Sequence, residues 1–303
     1  MEFRTVGGET GDGLRVSLVG LGCNNFGRRL GERESRAVIH AALDAGITLF
    51  DTAESYGGGR SEKYIGKALG ARRHEVAIAT KFGWSGGAGP RKVAKAVEGS
   101  LKRLRTETID LYQIHRPDPS TPIADTLEAL DRLVDQGKVR FVGCSNFSGA
   151  QIAEARAVAA AHDWCDFVTA QNPYSLLDRA IEDDVIPACG EAGMGILPYY
   201  PLANGLLSGK YRRGTPWPGG TRLSEWRVTD IEWEQVEGLA RFARAAGRSL
   251  LDLAFSWLAA QPGILSVIAG ATSPDQVTAN AGAAGWRLTE ADLGEADRFA
   301  PPV

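Results

Sequence analysis

The feature that most constrains this chain is a repeated alternation. Short apolar or β-branched runs stand at 14–22, 47–51, 75–81, 109–115, 139–145, 166–171, 195–200 and 264–270. Stretches with apolar residues at helical spacing lie between and after them, at 33–45, 61–69, 91–105, 124–136, 148–161, 179–192, 249–260 and 274–282. Runs with little internal alternation read as strands buried on both faces, the habit of a parallel sheet. Eight βα units in 303 residues predict an α/β chain folded as a closed (β/α)8 TIM barrel, a fold of typically ~250 residues. No Ser/Gly/Pro linker, charge block or low-complexity tract divides the chain, so residues 1–303 are expected to form a single domain. The surplus length has three homes: an N-terminal hairpin from 1–13 across the barrel bottom, a long loop after strand 7 (201–230) followed by a helical segment at 231–246, and a tail at 289–303. A doubly wound open sheet would alternate in the same way, but normally carries a glycine fingerprint in its first βα turn. That turn reads Gly20-Leu21-Gly22-Cys23-Asn24-Asn25-Phe26-Gly27, without the third glycine.

Composition narrows the partners. Thirty-four Lys+Arg against 37 Asp+Glu leave a formal charge of -3, no electrostatic reason to expect nucleic acid or an anionic membrane. With 44% hydrophobic and 23% charged residues the chain is an ordinary globular one. No apolar run approaches the ~18 residues of a membrane span, and the first ten residues do not read as a secretory signal. Cys23, Cys144, Cys165 and Cys189 are far apart, so reduced thiols in a cytoplasmic protein are expected.

A barrel builds its chemistry at the carboxyl ends of its strands. Asp51 closes the second run, Tyr56 follows in a glycine-rich loop, Lys81 closes the third run and His115 the fourth. Singly each has a plain reading: a turn acid, a surface tyrosine, a snorkelling lysine, a satisfied histidine. On consecutive strand ends they form a set. An ammonium beside a phenol favours the phenolate and makes Tyr56 a better proton donor; Asp51 would hold Lys81, and His115 would orient a substrate oxygen. The set suits protonation of a carbonyl oxygen while a hydride reaches carbon. It suits metal hydrolysis badly, since His40, His74 and His162 lie away from the rim, and no metal site is expected. A Ser-His-Asp hydrolase fits no better, because no G-x-S-x-G elbow occurs.

These residues sit in segments that resemble the aldo-keto reductase family in order along nearly the whole chain: GLGCNNFG, LDAGITLFDTAESYGGGRSEKYIGKAL, IATKFG, IDLYQIHRPDP, QGKVRFVGCSNFS, QNPYSLL, PYYPLANGLLSGKY and IAGATSPDQVTAN. The pattern is similar to the bacterial members and to the potassium-channel β-subunit branch. The resemblance implies a nicotinamide cofactor lying extended across the barrel mouth, Tyr56 as general acid, Lys81 and Asp51 tuning it, and His115 orienting the carbonyl. It places Ser145, Asn146 and Gln171 on the nicotinamide carboxamide and Tyr199 against the ring. Pro201, Leu202, Asn204, Gly205 and Leu207 would follow the pyrophosphate, with Gly22, Cys23, Asn24 and Asn280 also on the cofactor. Asn25, Phe26 and Trp84 would meet the substrate.

The eighth turn is informative by itself. Ser273-Pro274-Asp275-Gln276 reads as an N-cap serine, a proline at the first helical position and a capping-box glutamine, and such a helix start attracts phosphate. Gly270, Thr272 and Gln276 stand where many family members place a Lys or Arg for the adenosine 2'-phosphate, and Ala279 where many place an acid. The channel branch implies another source of charge, which Lys210 and Arg222 on the long loop resemble. NADP(H) is therefore the expected cofactor, with NAD(H) possible. The expected activity is reduction of a small aldehyde or ketone. The rival readings are a regulatory subunit that senses cofactor redox state with slow turnover, and a metal-dependent barrel hydrolase.

Overall fold

Two of the runs are buried on both faces along their whole strands: every residue of Ala77–Phe82 and of Ile109–Ile114 is buried. The structure, a computed structural model, describes residues 1–7, 12–85, 87–217, 223 and 228–302. It begins with an antiparallel hairpin of β1 (Phe3–Val6) and β2 (Leu14–Ser17). Then come β3 (Val19–Gly22), β4 (Leu49–Asp51), β5 (Ala77–Phe82), β6 (Ile109–Ile114), β7 (Val139–Ser145), β8 (Phe167–Gln171), β9 (Gly195–Ile196) and β10 (Val267–Gly270), eight parallel strands in the spatial order β10-β3-β4-β5-β6-β7-β8-β9. Backbone bonds join the two ends of that order: Ile196 N to Gly263 O (2.8 Å), Leu265 N to Ile196 O (2.8 Å) and Ile268 N to Pro198 O (3.1 Å). The helices are α1 (Glu32–Asp44), α2 (Arg60–Leu69), α3 (Pro90–Leu104), α4 (Ile123–Asp135), α5 (Gly149–His162), α6 (Val185–Ala192), α7 (Asp230–Ala245), α8 (Leu250–Ala260), α9 (Pro274–Gly282) and α10 (Glu290–Phe299). The architecture is the expected TIM barrel with an N-terminal hairpin.

The core has two layers. One lies between sheet and helices; the other fills the barrel with Leu49, Ala77, Ala79, Leu111, Leu197, Leu265 and Ile268. Leu14 and Val16 of the hairpin belong to that inner layer, so the hairpin closes the bottom and leaves the opposite rim open. The run 14–22, read as one strand, serves both sheets: it turns at Leu18, whose N–H bonds to Glu2 O (2.9 Å) and whose C=O accepts from Val267 N (2.8 Å). The 195–200 run is strand only at Gly195–Ile196, because Pro198 has no N–H to continue a ladder. The stretch 179–192 divides into a 3-10 turn (Ala180–Glu182) and α6. The tail holds a helix of its own, α10, started by a capping box of Thr289 and Asp292 and laid against α7, where Phe299 meets Gly238.

Candidate active site

Three barrel strands and one turn bring the rim residues together. Asp51 is the last residue of β4, Lys81 lies in β5, and His115 follows β6 directly. Tyr56 opens a 3-10 turn (Tyr56–Gly59) that depends on Gly57: its φ is +59°, and a Cβ there would meet Phe26 O at 2.8 Å. Lys81 Nζ donates to both oxygens of Asp51 (2.6 and 2.8 Å) and to Thr52 O (3.0 Å), using all three of its hydrogens. Asp51 Oδ1 also accepts from Gln171 Nε2 (2.9 Å). Both charged side chains are almost wholly buried, 1% and 4% exposed. Removing two such ions from water is expensive, and only this saturated bonding offsets it. Lys81 Nζ stands 5.4 Å from the centroid of the Tyr56 ring.

His115 completes the set. Its ring is edge-on to Tyr56 with centroids 5.7 Å apart, and 4.6 Å from Trp84, which the Arg116 guanidinium covers at 3.7 Å. Burial, and then the charges of Lys81 and Arg116, push the His115 pKa down from 6.5 to about 3, so the ring is neutral near pH 7. The pKa of Tyr199 is pushed up to about 12, mainly by burial. Its hydroxyl donates to Asn146 Oδ1 (2.7 Å), and Asn146 Nδ2 donates to His115 O (2.9 Å) and Ser145 Oγ (3.0 Å). One asparagine thus ties the loops after β6, β7 and β9, at φ +62°, a left-handed position that Asn tolerates. Tyr200 (φ +57°), Ala203 (+44°) and Asn204 (+58°) continue the positive-φ backbone along the same rim. Non-glycine residues so placed cost on the order of 1–3 kcal/mol each and cluster at functional sites.

Above this floor runs a cleft of about 1070 Å³. Its walls include the expected Gly22, Cys23, Asn24, Asn25, Asp51, Tyr56, Trp84, His115, Ser145, Asn146, Gln171, Tyr199, Pro201, Leu202, Asn204, Gly205, Lys210, Gly270, Thr272, Gln276 and Asn280. Lys81 lies beneath, reached through Asp51. Phe26 and Leu207 do not face the cleft: both are fully buried in the layer between sheet and helices. In each case a hydrophobic side chain beside a rim position turned toward the core, where its apolar area is removed from water. Arg222 falls outside the described residues. The start of α9 departs from the expected capping box. Ser273 caps it, accepting from Gln276 N (3.3 Å), but Gln276 Oε1 accepts from Thr272 N (2.8 Å), one residue before the cap. The glutamine therefore tightens the turn entering the helix.

Cleft residues that sequence reasoning missed include Arg28, Arg29, Ser55, Tyr200, Tyr211 and Leu251. The arginine doublet just past the first strand was a readable signal, since that position is rim. Tyr200 gave none, because its placement depends on a backbone φ that strand alternation does not foresee. Leu251 comes from α8, an outer helix whose start reaches over the rim.

What the cleft and floor suggest agrees with comparison to known proteins. The model of the Aldo/keto reductase family matches residues 18–300. Aldo-keto reductase YhdN of Bacillus subtilis is 37% identical over 303 residues, covering 92% of this chain and 88% of its own length. A probable voltage-gated potassium channel subunit beta of rice (Oryza sativa subsp. japonica) is 36% identical over 300 residues, covering 92% and 90%. Among solved structures, a glycerol dehydrogenase from Gluconobacter oxydans superposes with a TM-score of 0.86 at 32% identity, covering 99% of this chain and 96% of that one. No helix among the described residues is long and apolar enough to cross a membrane. The chain belongs to the aldo/keto reductase family of oxidoreductases, whose members typically use NAD(P)H and act on small molecules.

Proposed function

We propose that this chain, working as one barrel domain, reduces an aldehyde or ketone to an alcohol with NADPH preferred, Tyr56 being the general acid. The observation that carries the reading is the buried Lys81–Asp51 pair lying under Tyr56, with a neutral His115 beside it. Because burial holds His115 neutral, it is not a strong acid at neutral pH and serves as a hydrogen-bond donor to the carbonyl oxygen. Its buried Nδ1 has no partner among the described residues. An unpaired lone pair is more tolerable there than an unpaired N–H, which leaves Nε2 as the donor. The proton for the oxygen comes from the Tyr56 hydroxyl, and the Lys81 ammonium favours the phenolate left behind. Asp51, fixed by Gln171, holds that ammonium in place.

The nicotinamide cofactor supplies the hydride when bound. The donor set fits it: Ser145, Asn146 and Gln171 stand at one end of the cleft wall with the Tyr199 ring, and Thr272, Gln276 and the start of α9 stand at the eighth turn. Asn146 has already committed both amide hydrogens to protein, so toward a carboxamide it can only accept. Lys210, in the same cleft with its Nζ 5.0 Å from the Tyr211 ring centroid, is a cation available to a 2'-phosphate. The test is a panel of sugars, methylglyoxal, aromatic aldehydes and ketones, followed by NADPH oxidation with purified protein. Steady turnover of at least one carbonyl supports the enzyme. Negligible turnover with all of them, together with a stable protein partner, supports the redox-sensing subunit, a reading favoured by similarity to the rice protein.

A further inference from the structure

The cleft is charged against the sign of the chain. The protein carries a formal charge of -3. Yet the cleft wall holds three cationic side chains among the described residues, Arg28, Arg29 and Lys210, against one carboxylate, Asp51, already neutralised by Lys81. Lys210 lies beside Gly205 on the loop after β9. Arg28 and Arg29 are elsewhere, on the turn after β3, both exposed. Among the described residues neither guanidinium makes an ion pair or a hydrogen bond.

The turn that carries them is built firmly. Asn25 O accepts from the backbone N–H groups of Arg28 (3.2 Å), Arg29 (2.9 Å) and Leu30 (3.0 Å), and Gly27 N donates to Leu30 O (2.9 Å). Asn25 Nδ2 fastens the turn to Ala271 O (3.2 Å) on one side. On the other, Gly27 lies against Arg60 and Phe26 O against Gly57, so the turn leans on the segment that presents Tyr56. Two guanidinium groups without a partner among the described residues are thus carried on a hydrogen-bonded turn that leans on the segment presenting Tyr56.

We propose that Arg28 and Arg29 determine substrate class: the carbonyl compound carries an anionic group, a carboxylate or phosphate, which this pair receives while the carbonyl meets Tyr56 and His115. The proposal builds on the carbonyl-reductase reading. Guanidinium binds a planar oxyanion with two parallel hydrogen bonds, and charge assistance makes each stronger than a neutral one. No bond other than those of the reduction itself forms or breaks.

The test compares para-carboxybenzaldehyde with para-methylbenzaldehyde on wild-type protein and on the Arg28→Gln/Arg29→Gln double variant. Calorimetric titration of terephthalate and of NADP into both proteins runs alongside. Both substituted positions are exposed, and a far-ultraviolet spectrum checks that the variant is folded. We expect the ratio of kcat/KM for the anionic over the neutral aldehyde to fall about tenfold or more in the variant, through KM, and terephthalate affinity to fall likewise. An unchanged ratio with unchanged terephthalate affinity overturns the proposal. So does a variant whose NADP affinity falls while the ratio stays, since the anion would then be the cofactor's diphosphate. If wild-type protein reduces neither aldehyde, terephthalate binding decides the role of the arginines: affinity at least tenfold weaker in the variant supports the proposal and unchanged affinity overturns it, while the carbonyl panel decides the activity reading separately.

Discussion

His115 shows how burial sets a role at the scale of one residue. Its pKa in the fold, about 3, lies below the 6.5 of a free side chain. The unfolded chain therefore takes up a proton first as pH falls. The stability linked to this group is complete above about pH 6.5 and is lost as pH drops toward 3, at up to ~1.4 kcal/mol per pH unit. In an NMR titration the His115 ring should show no midpoint between pH 5 and 8, whereas a midpoint near 6.5 would remove the reason for assigning proton donation to Tyr56. Asp51→Asn tests the floor itself. It leaves Lys81 buried without its counter-ion, and breaking a buried pair in this way costs about 3–5 kcal/mol, to be read from urea denaturation. Lys210→Ala tests the cofactor end. It should raise the Kd for NADPH about tenfold and leave that for NADH within a few fold, and the difference should shrink as salt is added.

At the scale of elements, close backbone approach shapes the barrel's outer layer. A Cβ on Gly66, in α2, would stand 2.3 Å from Leu104 O at the end of α3, and backbone cannot yield as a flexible side chain does. Gly66→Ala should therefore destabilise the protein by about 1–3 kcal/mol, lowering the Tm despite the better helix propensity of alanine. The elements were also where the sequence was most legible. Eight runs with little alternation gave eight parallel strands, buried throughout in β3, β4, β5, β6 and β9, and Asp51, Lys81 and His115 were found at strand ends because strand ends can be counted. Boundaries set by chain geometry were not legible. The run 14–22 changes sheets at Leu18, Pro198 stops β9 early, and the tail folds as α10 once Phe299 finds Gly238. The inward turn of the Phe26 and Leu207 side chains was hidden for a related reason. A rim position in the sequence does not say which way a side chain turns, and burial of a large apolar group pulled both into the core. Tyr200 escaped because its left-handed backbone reverses the expected facing.

For the whole molecule, the two ends of the barrel divide the work. The hairpin plugs one end with Leu14 and Val16, which leaves the cleft at the other. Family membership and the superposition on the glycerol dehydrogenase account for the barrel and its oxidoreductase class. The charge in the cleft, the neutral histidine and the positive-φ loop after β9 come from this chain's own residues. The central claim is that Tyr56, poised over Lys81 and Asp51, gives the proton during carbonyl reduction. Single-turnover reduction by the wild-type and Tyr56→Phe proteins, each saturated with NADPH, tests it most directly. Tyr56→Phe should bind the cofactor with nearly unchanged affinity and be slower in the chemical step by at least ~10²-fold. A Tyr56→Phe protein that reduces the carbonyl at a near-wild-type rate would contradict the mechanism, and with it the role of the buried ion pair.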